Sequence, residues 1–274
     1  MQPSVWERLT RSPLFLDETE ATLEIDRTQV ERFYHPLATA LLSMSSPAPR
    51  LMVAVVGAPG SGKTAFATIL IAVLNAEAGA EVAALVGLDG WHYPNAYLDT
   101  HFIERHGQPI PLRRIKGAPE TFDAAAAFGC LSQIRQGGQA SFPVYSRTLH
   151  EPIPAAGTIG SSHRIVVVEG NYLLLEEEPW RDFRQLFDVR VFICAGLATL
   201  LDSLRERHGR GGKTPALAER QIREVDLPNA RRISPGVAHA HILVYKADAR
   251  RIERMEYIAE GGYVLPGSGG QATS

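Results

Sequence analysis

The stretch that most restricts what this chain can fold into is a short apolar run followed at once by a glycine-rich turn. LMVAVVG (51–57) is continuous and apolar, as expected of a β-strand buried on both faces. It runs directly into Gly57, Ala58, Pro59, Gly60, Ser61, Gly62, Lys63 and Thr64, which fit the pattern G-x-x-x-x-G-K-[ST]. Each position has a physical reason. The glycines let the backbone curl so that successive N–H groups point inward at an anion. The helix expected after the turn, through about Ala78 with Gly79 as its C-cap, adds the positive end of its dipole. Lys63 would reach the β- and γ-phosphates of a nucleoside triphosphate, and Thr64 would offer its hydroxyl to Mg²⁺. ATP and Mg²⁺ are therefore the expected ligands.

Further strands are expected at EVAALVGLD (81–89), RIVVVEG (164–170), FDVRVFICA (187–195) and HILVY (241–245). Between them lie helical patterns: Phe122 to Arg135, then Leu197, Leu200, Leu201 and Leu204, broken by GRGGK (209–213) and resumed to about Val225. An earlier helical period holds Val30, Phe33, Tyr34, Leu37 and Leu41. Residues 90–120 have no clear period and read as loops and short helices on the functional face. Strands alternating with helices imply an α/β fold with a five-stranded parallel sheet and helices on both faces. With 274 residues and 45% apolar side chains, one such domain with insertions is expected: a helical segment over 1–50, a core over 51–265 and a disordered tail over 266–274.

The totals exclude several classes. A net charge of -2 gives no global field that would recruit nucleic acid or an anionic membrane. No apolar run approaches the roughly 20 residues of a membrane span, and the first residues carry no secretory signal pattern. The two cysteines, Cys130 and Cys194, sit in apolar stretches and read as reduced core residues. A cytoplasmic protein with a small-molecule partner is expected, and a homo-oligomer is compatible with everything read here.

Two carboxylates end strands. Asp89 closes the second and Glu169 the third. Ligands of a doubly wound sheet bind at the carboxyl ends of its strands, so both carboxylates are expected to converge near Lys63. Phosphoryl transfer needs a metal cage and a group that orients or deprotonates the attacking hydroxyl. The alternative is that each carboxylate merely caps a turn. The basic stretch from Arg205 to Arg232 holds eight Lys or Arg against four Asp or Glu. Within it Arg205, Arg207 and Arg210, with Gly209, Gly211 and Gly212 as hinges, suit a lid over the phosphates; a solvated helix end is the plainer reading. No D-x-x-G occurs, and the Tyr245-Lys246-Ala247-Asp248 echo of N-K-x-D lacks the Asn, so it is set aside.

Several ordered segments carry a resemblance. GLDGWHYPN (87–95), RIKGAPETFD (114–123), PVYSR (143–147) and VVVEGNYLL (166–174) resemble elements of bacterial type I pantothenate kinases. The wider group is the uridine kinase, phosphoribulokinase and pantothenate kinase superfamily, with P-loop NTPase fold and an Arg-rich lid. DLPNA (226–230) resembles an element of uncharacterised members of the nucleoside- or sugar-kinase-like branch. The resemblance spans about Phe33 to Tyr245. It implies that Asp89 is the base, that Glu169 lies near the metal with Thr64, and that Arg205, Arg207 and Arg210 form the lid. Asp89, His92, Tyr93, Arg114, Tyr145, Arg147, His150 and Asn171 are the expected acceptor-binding residues, with Arg113 and Lys116 as further candidates for an anion.

This chain departs from both named branches. Arg147 stands where pantothenate kinases have His. Ser146 stands where uridine kinases have the Asp of Y-D-F-x-x-H, although His150 is kept. The expected reaction is transfer of the ATP γ-phosphoryl group to a hydroxyl of a sugar, a nucleoside or a pantothenate-like metabolite, with Lys63, Asp89 and Arg207 doing the chemistry. The competing class is a P-loop ATPase that drives a protein partner, and the ordered acceptor-side segments argue against it.

Overall fold

The computed structural model describes residues 1–16, 22–45, 49–105 and 107–258. The tail expected over 266–274 lies outside them. Every residue of β3 (Leu51–Gly57) is buried, and its alternating side chains define the two cores. Leu51, Val53 and Val55 face a core built with α4 (Lys63–Ala78), whose Phe66, Ala67, Leu70, Val73 and Leu74 recur at helical spacing. Met52, Ala54 and Val56 face the other core, which includes α6 (Ala124–Arg135) and the aromatic group Phe122, Tyr172 and Trp180.

The strand order is β12-β11-β10-β3-β9-β4, with β4 at Ala83–Gly87, β9 at Ile165–Glu169, β10 at Val189–Ala195, β11 at Ile242–Lys246 and β12 at Ile252–Tyr257. The five expected strands are present and mutually parallel. The sheet has a sixth strand that the periodicity did not announce: β12 runs antiparallel to β11 at the edge. Its sequence, IERMEY, is half charged and buries only Ile252 fully. That polarity suits an exposed edge, where charges block further pairing, and it hides the strand from a search for apolar runs.

The chain N-terminal to β3 packs on the outer side of α4. α2 (Arg27–Gln29) passes through a π-turn at Val30–Tyr34 into α3 (His35–Met44). The expected apolar stripe, Val30, Phe33, Tyr34, Leu37 and Leu41, is buried in the same core as α4. α1 (Pro3–Leu9) and the short pair β1 (Leu14–Phe15) and β2 (Thr22–Leu23) complete that side.

Residues 90–120 are more ordered than expected. They hold α5 (Asn95–Thr100) and an antiparallel hairpin of β5 (Phe102–Arg105) with β6 (Gln108–Pro111). A second hairpin joins β7 (Ala140–Ser146) to β8 (Glu151–Ile159), with a register shift between Phe142 and Val144. Pro143 sits at that shift, where a residue without an N–H costs no ladder bond. Prolines interrupt both hairpins, and those at 109 and 111 hide the first within a segment expected to be loops and short helices.

One buried cation fastens the start of β3. Arg50 is 1% exposed and pairs with no carboxylate among the described residues. Its guanidinium instead donates to the carbonyls of His163, Ile134, Gly138 and Gly160 at 2.6–2.8 Å. It thereby ties the ends of α6 and β8 to the root of the central strand. Arg50→Met would strip the donor from the carbonyls of His163 and Gly138, while those of Ile134 and Gly160 keep the N–H groups of Gly137 and His163, at about 1–3 kcal/mol for each carbonyl left unsatisfied. We expect a loss of about 3 kcal/mol or more in chemical denaturation, and a variant of unchanged stability would contradict this assignment.

Candidate active site

Sheet register sets the site. Val55 and Gly87 both stand opposite Glu169 on β9. Gly57 begins the turn two residues beyond Val55, and Asp89 lies two residues beyond Gly87. The turn, Glu169 and Asp89 therefore share one end of the sheet. Across β3 the chain reverses its order of strand addition, with β9 on one side and β10 on the other. That is the crevice where doubly wound sheets bind ligands.

The Gly57–Thr64 turn is tight. A Cβ at Gly57 would lie 2.7 Å from Ser61 Oγ, and Gly60 and Gly62 have φ of +81° and +85°. Gly60 packs on Leu204 of α7 (Leu197–Arg210), which brings that helix onto the turn. Lys63 is buried and its Nζ donates to the Ala58 carbonyl at 3.1 Å, so it folds back over the loop. Burial pulls Lys63 down to about 8, against the pull of Glu169. The Ser61 hydroxyl is buried without a partner. An orphaned hydroxyl inside a curl of amides is the feature a bound phosphate oxygen would satisfy.

Two carboxylates face Lys63 and differ in character. Glu169 is 8% exposed and accepts a hydrogen bond from the Thr64 side chain. Its burial pushes the carboxyl up, against the pull of Lys63. Thr64 and Glu169 are hard oxygen donors, and the residues fit Mg²⁺, which takes few protein ligands and completes its shell with phosphates and water. Asp89 is held by Arg147, whose Nη2 donates to Oδ2 at 2.6 Å. Burial works against the charged form of Asp89, but the cations Arg147, Arg207 and Lys63 outweigh it and keep the carboxyl below the usual range.

The acceptor-side wall is built on one glycine. A Cβ at Gly90 would stand 2.0 Å from the Pro143 carbonyl oxygen, so the β7–β8 hairpin lies directly on the turn after Asp89. That contact brings Tyr145 and Arg147 to the base. His92 is buried beneath them, its ring tilted against Phe122 at 3.8 Å and near Tyr145 at 5.2 Å. Its Nδ1 lies 2.9 Å from the Asp89 carbonyl oxygen, which only accepts, so Nδ1 carries the proton. Burial lowers its pKa and keeps the ring neutral.

These features are those of a known family. The sequence matches the Phosphoribulokinase / Uridine kinase family over residues 52–253. The chain belongs to that family. It is 30% identical over 225 residues to the uncharacterised protein YggC of Escherichia coli K12, covering 81% of this chain and 90% of that one. It is 29% identical over 222 residues to a pantothenate kinase of Rhodopseudomonas palustris, covering 70% and 67%. Among solved structures, a "putative fructose transport system kinase" from Silicibacter sp. TM1040 is 31% identical, with a TM-score of 0.63, covering 74% and 94%. The chain is thus a P-loop kinase, a phosphotransferase that takes a small-molecule substrate.

The remaining expected residues divide. Lys116 joins the wall: its Nζ donates to Asn95 Oδ1 and to the His150 carbonyl, each at 2.7 Å, and stands 5.1 Å from the Tyr145 ring. His150 is exposed with φ of +54°, and what reaches Lys116 is its carbonyl. Tyr93 stacks on Tyr97 at 4.3 Å. Asn171 hydrogen-bonds the neighbouring Tyr172 side chain. Arg114 is exposed and lies 3.5 Å from Glu224.

The lid arginines behave differently from one another. Arg205 pairs with Glu219 at 2.6 Å and Arg210 with Glu206 at 3.7 Å, both at the surface. Arg207 feels the charges of Asp89 and Glu169 as well as that of Asp226. Its Nη2 also lies 3.6 Å from Asp226, a buried carboxylate that His208 Nε2 contacts at 2.8 Å. The helix runs through Arg210, and the turn falls at Gly211–Gly212. The segment after it holds a second π-turn at Ile222–Asp226, between α8 (Pro215–Gln221) and α9 (Leu227–Ile233). Asn229 of α9 and Tyr172 both donate to the carbonyl of Gly117, so the DLPN segment braces the RIKG segment.

Sequence reasoning missed Lys246. It is buried at the end of β11, and a Cβ on Gly62 would lie 3.8 Å from its Nζ and 2.8 Å from the Ala249 carbonyl oxygen. The only signal was the Tyr245–Asp248 echo set aside above. Burial brings Lys246 down to about 8 from 10.5, opposed by Asp248. A lysine depressed on folding costs stability below pH 8, where both states are charged. The cost is relieved between pH 8 and 10.5, where the folded state releases a proton that the unfolded state keeps. Lys246→Met should therefore raise stability at pH 7 by about 3 kcal/mol. The difference should shrink as pH rises toward 10.5, and melting curves at pH 7 and 9.5 check it.

Proposed function

We propose that this enzyme transfers the γ-phosphoryl group of ATP to a hydroxyl of a small polar metabolite. The observation that carries this reading is the placement of Asp89 and Glu169 opposite Lys63 at one end of the sheet, with the acceptor-side wall seated on Gly90. A protein that only hydrolysed ATP to drive a partner would not need that wall.

The loop amides, Ser61 and Lys63 bind the phosphates. A cavity of about 530 Å³ on the other side of the loop, lined by Ala58, Leu200, Tyr245 and Lys246 among others, gives room for the nucleoside half of ATP. Thr64 and Glu169 would hold Mg²⁺, which supplies neutralisation of the phosphate oxygens. The acceptor hydroxyl sits on Asp89 and attacks the γ-phosphorus in line. The new P–O bond forms as the bond to the ADP oxygen breaks, and the hydroxyl proton passes to Asp89. Asp89 is a weak base because Arg147 holds its charge. That suits a loose transition state, in which the nucleophile needs orientation more than early deprotonation. Arg207 lies where charge develops on the transferring group.

A sugar or sugar-like polyol is the first candidate acceptor, before a nucleoside and then pantothenate. The likeness to the Silicibacter protein supports that order, as does Ser146 in place of a ribose-binding Asp. Asp89→Asn should bind ATP with unchanged affinity and lose turnover by about 10²–10⁴-fold. Isothermal titration and a coupled ADP assay with a panel of sugars, nucleosides and pantothenate test this. Wild-type turnover by the variant, or ATP consumption indifferent to every acceptor, would contradict it.

A further inference from the structure

Resting on that kinase reading, the charges of the acceptor-side wall narrow the acceptor further. Arg147 and Lys116 come from different segments, the β7–β8 hairpin and the RIKG turn, and meet at one aromatic ring. The Arg147 guanidinium carbon and the Lys116 ammonium each lie 5.1 Å from the Tyr145 centroid. Both cations are partly exposed to the cleft rather than sealed in the core.

Neither is neutralised by a carboxylate with no other task. The carboxylate on Arg147 is Asp89, the group that must receive the hydroxyl proton. Lys116 donates to two uncharged oxygens, those of the Asn95 amide and the His150 carbonyl. Glu151 is near enough to favour its charge, though its two oxygens are turned to the Asn95 N–H at 3.0 Å and make no ion pair with Lys116 among the described residues. Burial, with repulsion from Arg113 and Arg147, pulls Lys116 down to about 8. An arrangement of this cost fits a site that receives negative charge.

The fork geometry agrees. A guanidinium has five N–H donors in a plane. The bond to Asp89 Oδ2 fixes that plane and leaves donors for a second planar or tetrahedral anion. An acceptor held there would have its anionic group beside the base that orients its hydroxyl.

We propose that the acceptor is itself an anion: a polyol or sugar bearing a carboxylate or a phosphate monoester, bound by Arg147 and Lys116 over the Tyr145 ring while its hydroxyl meets Asp89.

The test compares three panels under identical ATP and Mg²⁺: neutral sugars, polyols and nucleosides; hydroxy and sugar acids, pantothenate included; and sugar monophosphates. We expect the best acceptor among the anions, with kcat/KM about 100-fold above its neutral counterpart, the scale of a charge-assisted bidentate contact. The two anionic panels separate carboxylate from phosphate. Arg147→Gln touches the base, so Lys116→Met is the cleaner variant. It should raise KM for the anionic acceptor about tenfold or more, with a smaller change in kcat and an unchanged Kd for ATP. A neutral acceptor turned over better than every anion would overturn the inference and leave the kinase reading intact. So would a Lys116→Met enzyme with wild-type KM for its anionic acceptor. Hydrolysis of ATP with transfer to no member of any panel would sink both.

Discussion

The site depends on a parallel register. β3 lies between β9 and β10, and Glu169 stands level with both Val55 and Gly87. With the sheet in this register, the phosphate turn and the two carboxylates reach the same end of the sheet without any special loop design. A shift of one residue along β9 would turn Glu169 into the opposite face. Strand sequences of almost unbroken apolar residues hold that register, because both faces are covered by packed side chains. Arg50 then fixes the root of the central strand through four carbonyls, so the rigid end and the reactive end of β3 are set by different means.

At the reactive end, charges are placed close together and each is balanced only in part. Lys63 and Lys246 are both buried around the phosphate turn and both pulled down to about 8 by that burial. Glu169 is pushed up and Asp89 is held down. This contrast matches the different tasks proposed for them: Glu169 beside a metal ion, Asp89 as a charged acceptor of a proton. Asp226 extends the pattern outward. It is shared by Arg207 and by His208, so that arginine is tethered to a buried pair inside the basic stretch. Partly balanced buried charge of this kind lowers stability, and functional sites commonly carry it.

Much of this was legible in the sequence because it rests on local rules. The phosphate turn follows from glycine spacing, the parallel strands from continuous apolar runs, and the helix end at Gly79 from the glycine itself, which takes the left-handed φ of a C-cap in the structure. The acceptor-side segments were visible as motifs. What the sequence did not show were contacts between distant segments. The seat of Pro143 on Gly90 has no local signature. The proline-rich hairpins and the charged edge strand β12 break the patterns that usually announce strands. Arg205, Arg207 and Arg210 share one basic stretch, and what separates Arg207 is its place beside Asp226, a contact between distant residues. Lys246 was discounted because its motif lacked an Asn, whereas what brings it to the turn is the close approach of the chain after β11 to Gly62.

The most direct measurement of the central claim follows the phosphorus itself. The enzyme is incubated with ATP carrying ¹⁸O throughout its γ-phosphate and a pool of hydroxyl metabolites, and the products are resolved by mass spectrometry. Transfer of the phosphoryl group to an acceptor predicts a new phosphate ester that keeps the label on its non-bridging oxygens, while the bridging oxygen, supplied by the acceptor, is unlabelled. Label recovered only in inorganic phosphate, with no labelled ester at any acceptor concentration, would contradict the account.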